Sequence, residues 1–194
     1  MNFVFTKNII CPDDPTCDEN RFKMYEKYYE VKYMICKLCQ PNVMAEIGVR
    51  AGYSAWSFLQ ARPKAKYYGF DANNGMHGGQ GGKDGKFKNW TTNILKEYNV
   101  VYHEIDTQKL NILPVQDKID FFHIDGDHSY NGVMHDLELV SKHLSKNGYM
   151  LIDDIDYIKD VRVSTSDFVS KHKLDFEFIY LPSFRGELLL RKIS

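Results

Sequence analysis

Ile119-Asp120-Phe121-Phe122-His123-Ile124-Asp125-Gly126-Asp127-His128-Ser129-Tyr130 is the stretch on which the reading of this chain turns. It starts as a mostly apolar run and ends in carboxylates and an imidazole. A run this short, bounded by glycine and followed by helical periodicity, reads as a buried strand emptying into a loop. In an open α/β sheet, ligands bind at the carboxyl ends of such strands. Asp125, Asp127 and His128 are therefore expected at the mouth of a site and not in a core.

Upstream, 43–48 reads as a buried strand after the break at Pro41-Asn42. Glu46-Ile47-Gly48-Val49-Arg50-Ala51-Gly52-Tyr53-Ser54 then leads into a helix ended by Pro63, and the next strand, 65–71, closes on Asp71. Strand, glycine-containing turn, helix and a strand ending in an acid form the first half of a nucleotide-type βαβ unit. A helix over 87–98 and a strand over 100–105, closed by Asp106, follow. Downstream of the opening stretch, Val133, Met134, Leu137, Val140 and Leu144 mark a helix that Asn147-Gly148 is expected to stop. A strand over 149–152 runs into Asp153-Asp154, a helix covers 159–173, and strands 175–181 and 186–192 flank a loop short enough for an antiparallel hairpin. The expected fold is α/β: a Rossmann-like, doubly wound, seven-stranded and mostly parallel sheet, with an antiparallel C-terminal hairpin and helices on both faces. With no internal repeat, 1–194 reads as a single domain, a helical extension over 1–40 followed by a core over 43–192.

In the extension, Tyr25, Tyr28, Val31, Ile35 and Leu38 recur at spacings of three and four, so one helical face is apolar. That face can pack on the sheet, cover the mouth of the site or support a homo-oligomer. Cys11, Cys17, Cys36 and Cys39 all precede the first strand. Two pairs could hold zinc, but Cys36 and Cys39 fall within the helix, where a buried thiol acts as a small hydrophobe. The second reading is the expectation. The segment 72–85, with Gly75, Gly78, Gly79, Gly81, Gly82 and Gly85, suits either a lid or a disordered loop.

A formal net charge of -1 leaves no electrostatic footprint for nucleic acid. Lys83, Lys86 and Lys88 are the densest basic cluster and read as a solvated face. No stretch approaches the roughly 20 apolar residues of a membrane span, and the first residues have too short an apolar core for a signal peptide. A cytoplasmic protein with no membrane partner is expected.

Four strands end in acids: Asp71, Asp106, Asp125 and Asp153. Neighbouring parallel strands lie about 4.8 Å apart, so such acids can converge on one bound molecule. The turn after the first strand has Gly48 and Gly52 with three residues between them and no G-x-G. A pyrophosphate fingerprint is therefore missing, which argues against NAD or FAD.

The chain resembles the class I S-adenosylmethionine-dependent methyltransferases in Glu46-x-Gly48-x-x-x-Gly52-x-Ser54, in Asp71, and in the closing hairpin. The segment 123–130 and Asp153-Asp154 make it similar to the metal-dependent subgroup of macrocin-type sugar O-methyltransferases and cephalosporin-hydroxylase-like proteins. This resemblance implies that Gly48 and Gly52 let the backbone approach the methionine part of the cosubstrate, with Glu46 and Ser54 near its amino and carboxylate groups. It implies Asp71 on the ribose hydroxyls and Asp106 near the adenine amine. Asp125, Asp153 and Asp154 are the implied ligands of Mg²⁺, with Ca²⁺ or Mn²⁺ as substitutes. His128, with an ordinary pKa of about 6.5, is the implied catalytic base beside Asp125. Asp127 reads as a capping or supporting residue. The implied reaction is O-methylation of a hydroxyl on a sugar or other small molecule. Two other readings remain at this point: a non-catalytic binding or assembly protein that keeps the fold, and a metal-dependent hydrolase built on the same acids.

Overall fold

The structure, a computed structural model, describes residues 3–17, 21–75 and 86–194. Its framework is a seven-stranded sheet built from β1 (Val43–Ile47), β2 (Lys66–Asp71), β3 (Val100–Glu104), β4 (Ile119–Ile124), β5 (Leu144–Ile152), β6 (Phe176–Leu181) and β7 (Glu187–Lys192). The spatial order is β3-β2-β1-β4-β5-β7-β6. The first five strands run parallel, and β7 pairs antiparallel with both β5 and β6. The strand order reverses between β1 and β4, which is where an open α/β sheet leaves a crevice for a ligand.

Each strand alternates its side chains between two apolar layers. Phe122, Met150 and Ile152 pack with Leu137 and Val140 of α4 (Tyr130–Ser141) and Phe168 of α5 (Lys159–Lys171). Met44, Phe121 and Leu151 face the other way, toward Ile35 and Cys36 of α1 (Phe22–Cys39) and Phe58 of α2 (Tyr53–Ala61). The short α3 (Lys86–Ile94) contributes Phe87 to a third cluster with Phe5, Tyr25, Tyr28 and Tyr53, which fastens the N-terminal segment to the start of α2.

Two expectations are corrected. The helix after β4 stops at Ser141, and Leu144 opens β5 opposite Ile119 instead of closing the helix. Asn147 takes a positive φ of 64° inside β5, so Asn147-Gly148 marks an irregular strand start and not a helix stop. The register of β4 against β5 shifts between Ile119 and Phe121, at the same irregularity. In α1 the buried face is Tyr25, Tyr28, Lys32, Tyr33, Ile35 and Cys36, while Val31 and Leu38 are exposed. The spacing 25-28-32-35 is the helical stripe, with a lysine in it. Cys11, Cys17, Cys36 and Cys39 form no disulfide among the described residues, and Cys36 packs against Met44 and the Phe58 carbonyl. Segment 76–85, on which the lid reading and Lys83 depend, lies outside the described residues. Among the described residues no helix is long and apolar enough to cross a membrane.

Candidate active site

The carboxyl ends of the parallel strands open into a cavity of about 680 Å³, inside the range of roughly 300–1,000 Å³ found for small-molecule sites. Gly48, Gly52, Ser54, Asp71 and Asp106 line it on the side of β1, β2 and β3, and Asp125, Asp127, His128, Asp154 and Arg185 on the side of β4, β5 and the hairpin.

On the first side the backbone sets the shape. Gly48 has φ +88°, and a Cβ built there would lie 1.9 Å from the Asp125 carbonyl oxygen. Only glycine allows that approach. Gly52 has φ +77° and caps the start of α2. Asp71 is held by two backbone donors, Arg50 N to Oδ2 and Asn73 N to Oδ1, each at 2.7 Å. Burial nevertheless raises its pKa, against the lowering by these two bonds. Asp106 accepts from Gln108 N at 3.1 Å and starts a 3-10 turn over Thr107–Lys109.

Arg50 ties the N-terminal segment to this turn. Its guanidinium grips Asp14 bidentately at 2.6 and 2.8 Å and lies over the Phe87 ring. Burial would raise the Asp14 pKa, but Arg50 and Thr16 together bring it below the usual carboxylate value.

On the second side, Asp125 Oδ1 lies 3.2 Å from His128 Nε2, and Asp154 Oδ2 lies 3.7 Å from the same nitrogen. These three residues can place one ligand atom each within 4.8 Å of one another. Burial lowers the His128 pKa, but the bond to Asp125 and the charges of Asp125 and Asp154 raise it on balance. Asp154 is almost fully buried, and burial together with Asp125 and Asp153 raises its pKa despite Arg185 Nη1 at 3.1 Å. Asp127 supports the cap of the next helix: its Oδ1 accepts from the N–H of Ser129 at 2.8 Å, and Ser129 is the cap, its Oγ accepting from Gly132 N.

The structure does not bring every expected site residue to the cavity. Asp153 does not join Asp125 and Asp154. It follows Leu151 on the α1-facing side of the sheet, where its Oδ2 accepts from Lys32 Nζ at 2.9 Å and from the Tyr28 hydroxyl. Asp154, at φ +60°, turns the opposite way into the cavity. Glu46 is fully buried and does not line the cavity. Its Oε1 accepts from Ser54 Oγ and lies 2.7 Å from His123 Nδ1, and its Oε2 accepts from the Tyr67 hydroxyl.

These residues form one buried polar layer beneath the site. Lys32 Nζ reaches Asp153, Glu187 Oε1 at 2.5 Å and His123 Nε2 at 3.1 Å. Burial lowers the Lys32 pKa, and the two carboxylates reverse this and hold the ammonium charged. Glu46, His123 and Asp153 share a face because Glu46 pairs with His123 across β1 and β4, and His123 with Leu151 across β4 and β5. Neither Lys32 nor Arg185 was singled out from the sequence. The signal for Lys32 was its place in the Tyr25-Tyr28-Ile35 stripe; for Arg185, on a short hairpin loop, there was none.

Residues 45–155 match the family described as methyltransferase domain. A search of curated proteins finds no match. The O-methyltransferase NovP superposes with a TM-score of 0.67 at 14% identity, over 94% of this chain and 93% of its own. The O-methyltransferase TomG from Streptomyces achromogenes, involved in tomaymycin synthesis and solved with SAM, gives 0.64 at 14% identity over 86% and 79%. A methyltransferase from Geobacter sulfurreducens gives 0.63 at 17% identity over 86% and 78%. At these identities the structures share the fold.

Proposed function

Because this chain belongs to the methyltransferase domain family and has the class I methyltransferase fold, we propose that it is an S-adenosylmethionine-dependent O-methyltransferase acting, with a divalent cation, on a hydroxyl of a small molecule such as a sugar. One observation carries the reading. The cavity places an acid held by two backbone amides, Asp71, across from the Asp125, His128 and Asp154 group.

S-Adenosylmethionine would lie along the Gly48–Gly52 turn, with Asp71 accepting from its ribose hydroxyls and Asp106 near its adenine. Ser54 would meet its methionine end, and Glu46 would act there only through Ser54. That TomG, which shares this fold, was solved with SAM supports the choice of cosubstrate. The second group fits a divalent cation, since two carboxylates and an imidazole converge and the buried Asp154 is disfavoured as a lone anion. Asp125 and Asp154 would hold Mg²⁺ or Mn²⁺, which supplies a lowered pKa for the acceptor hydroxyl when bound.

The remaining steps belong to the chain. The two halves of the site would hold donor and acceptor side by side, so that part of the entropic barrier is met on binding. His128 takes the hydroxyl proton at Nε2, where Asp125 Oδ1 stabilises the imidazolium. The oxygen forms a bond to the methyl carbon as the carbon–sulfur bond breaks, its electron pair staying on sulfur as S-adenosylhomocysteine. Charge is balanced, because the sulfonium loses its positive charge and the imidazole gains one.

The test is calorimetry of the chain with S-adenosylhomocysteine, followed by assay of an acceptor panel with and without Mg²⁺. Binding in the micromolar range and cation-dependent release of S-adenosylhomocysteine are expected. Failure to bind S-adenosylhomocysteine would overturn the reading.

A further inference from the structure

Arg185 sits in the loop between β6 and β7, and its position is set from two directions. Its carbonyl accepts from Asp156 N at 2.9 Å, and Ile155 N bonds the carbonyl of the following Gly186 at 3.0 Å. These bonds tie the loop backbone to 155–156, and the guanidinium is placed by its own side-chain torsions. Its Nη1 lies 3.1 and 3.4 Å from the two Asp154 oxygens, and Nη2 makes a longer contact of 3.4 Å to the Tyr25 hydroxyl. The Cζ stands 5.1 Å from the Tyr157 ring and 6.0 Å from the Phe184 ring, both exposed at the cavity wall.

We propose that Arg185 selects acceptors that carry an anionic group, a carboxylate or phosphate, near the hydroxyl to be methylated. This rests on the reading given under Proposed function. Arg185 and a divalent cation compete for the same carboxylate, because Asp154 belongs to the group that can converge on an ion. The acid that holds the guanidinium is Asp154, at 3.1 Å, and it is assigned to the cation. When the cation takes it, the contacts left to Arg185 among the described residues are its ring contacts and the Tyr25 hydroxyl. A guanidinium in a partly buried wall then binds an incoming carboxylate or phosphate through paired, charge-assisted hydrogen bonds. The rings of Tyr157 and Phe184 provide a flat surface beside it for a sugar or aromatic ring. Cation and acidic acceptor therefore support each other: the first frees the guanidinium, and the second neutralises it.

Calorimetry on the full chain saturated with S-adenosylhomocysteine, in Mn²⁺, tests this with two matched pairs: 3,4-dihydroxybenzoate against catechol, and glucuronate against glucose. In at least one pair the acid should bind about tenfold more tightly, the scale of one charged hydrogen bond. The preference should vanish in Arg185→Met and persist in Arg185→Lys. Mn²⁺ should bind Arg185→Met more tightly than the parent, since its competitor is gone. Equal affinity within both pairs, absence of binding by all four compounds, a preference that survives in Arg185→Met, or unchanged Mn²⁺ affinity in that variant each overturns the proposal. A chain that does not bind S-adenosylhomocysteine fails the underlying reading at the first step. One that binds it without a charge preference fails only the role of Arg185.

Discussion

Asp153 and Asp154 are neighbours in the chain, yet their carboxylates serve opposite sides of the sheet end. Asp153 Oδ2 takes the Lys32 ammonium at 2.9 Å beneath the site, and Asp154 Oδ1 takes Arg185 at 3.1 Å in the cavity wall. The pair joins the buried layer to the site, and the two residues should respond differently to mutation.

Lys32→Met leaves Asp153 and Glu187 buried without their cation. Removing one partner of a buried ion pair costs about 3–5 kcal/mol. Urea denaturation should show a loss of that size, with a smaller loss when Asp153→Asn is added to Lys32→Met than when it is made alone. Additive losses would show that the two groups do not interact.

Asp125→Asn should abolish cation-dependent turnover while S-adenosylhomocysteine affinity stays within about threefold of the parent. Asp71→Ala should do the reverse at the binding step and weaken S-adenosylhomocysteine by about tenfold to a hundredfold, the scale of one or two charged hydrogen bonds. Isothermal titration of both variants checks the division. Turnover preserved in Asp125→Asn would remove that residue from the catalytic group.

His128 provides a pH signature. Burial lowers its pKa, and the bond to Asp125 with the charges of Asp125 and Asp154 raises it further than burial lowers it. In the cation-free protein, the His128 ring signals should therefore titrate above the ordinary value of about 6.5. The stabilisation from this interaction is fully present below the unfolded pKa and is lost as pH rises through the folded one. Asp125→Asn should lower the midpoint, and a bound cation should lower it too. As a general base, His128 must be neutral, so rates should climb with pH through the midpoint measured under assay conditions.

Gly48→Ala should be more damaging than its single added methyl suggests. The new Cβ would fall 1.9 Å from the Asp125 carbonyl oxygen, in a backbone conformation that alanine resists. Loss of S-adenosylhomocysteine binding or a lowered melting temperature by several degrees is expected. A variant with parental melting and binding would show that the turn can shift.

Much of this architecture was legible in the sequence. The Phe121-Phe122 run, the acid-terminated strands and the Gly48–Ser54 turn specify the parallel sheet and its ligand end, because each is a local pattern with a local cause. The misreadings came from residues whose placement is decided across the fold. Leu144 fits the helical period of α4 but is taken by pairing with Ile119. Lys32 looks like a surface lysine until Asp153 and Glu187 arrive from strands more than a hundred residues away. Asp153 and Asp154 could not be told apart before the strand end and the positive φ at Asp154 were known. Glu46 sits in the expected strand, but its bonds to His123 and Tyr67 withdraw it from the cavity.

The close approach of Gly48 to Asp125 has a bearing on redesign. At that contact the Gly48 backbone meets the Asp125 carbonyl directly, so the spacing of the loops after β1 and β4 is set there by main chain on both sides. Substitutions cannot widen or narrow it in graded steps. The hairpin loop that carries Phe184 and Arg185 has no such lock on its side chains. If Arg185 chooses the acceptor as proposed, retargeting this scaffold means rewriting that loop while leaving the two facing loops untouched.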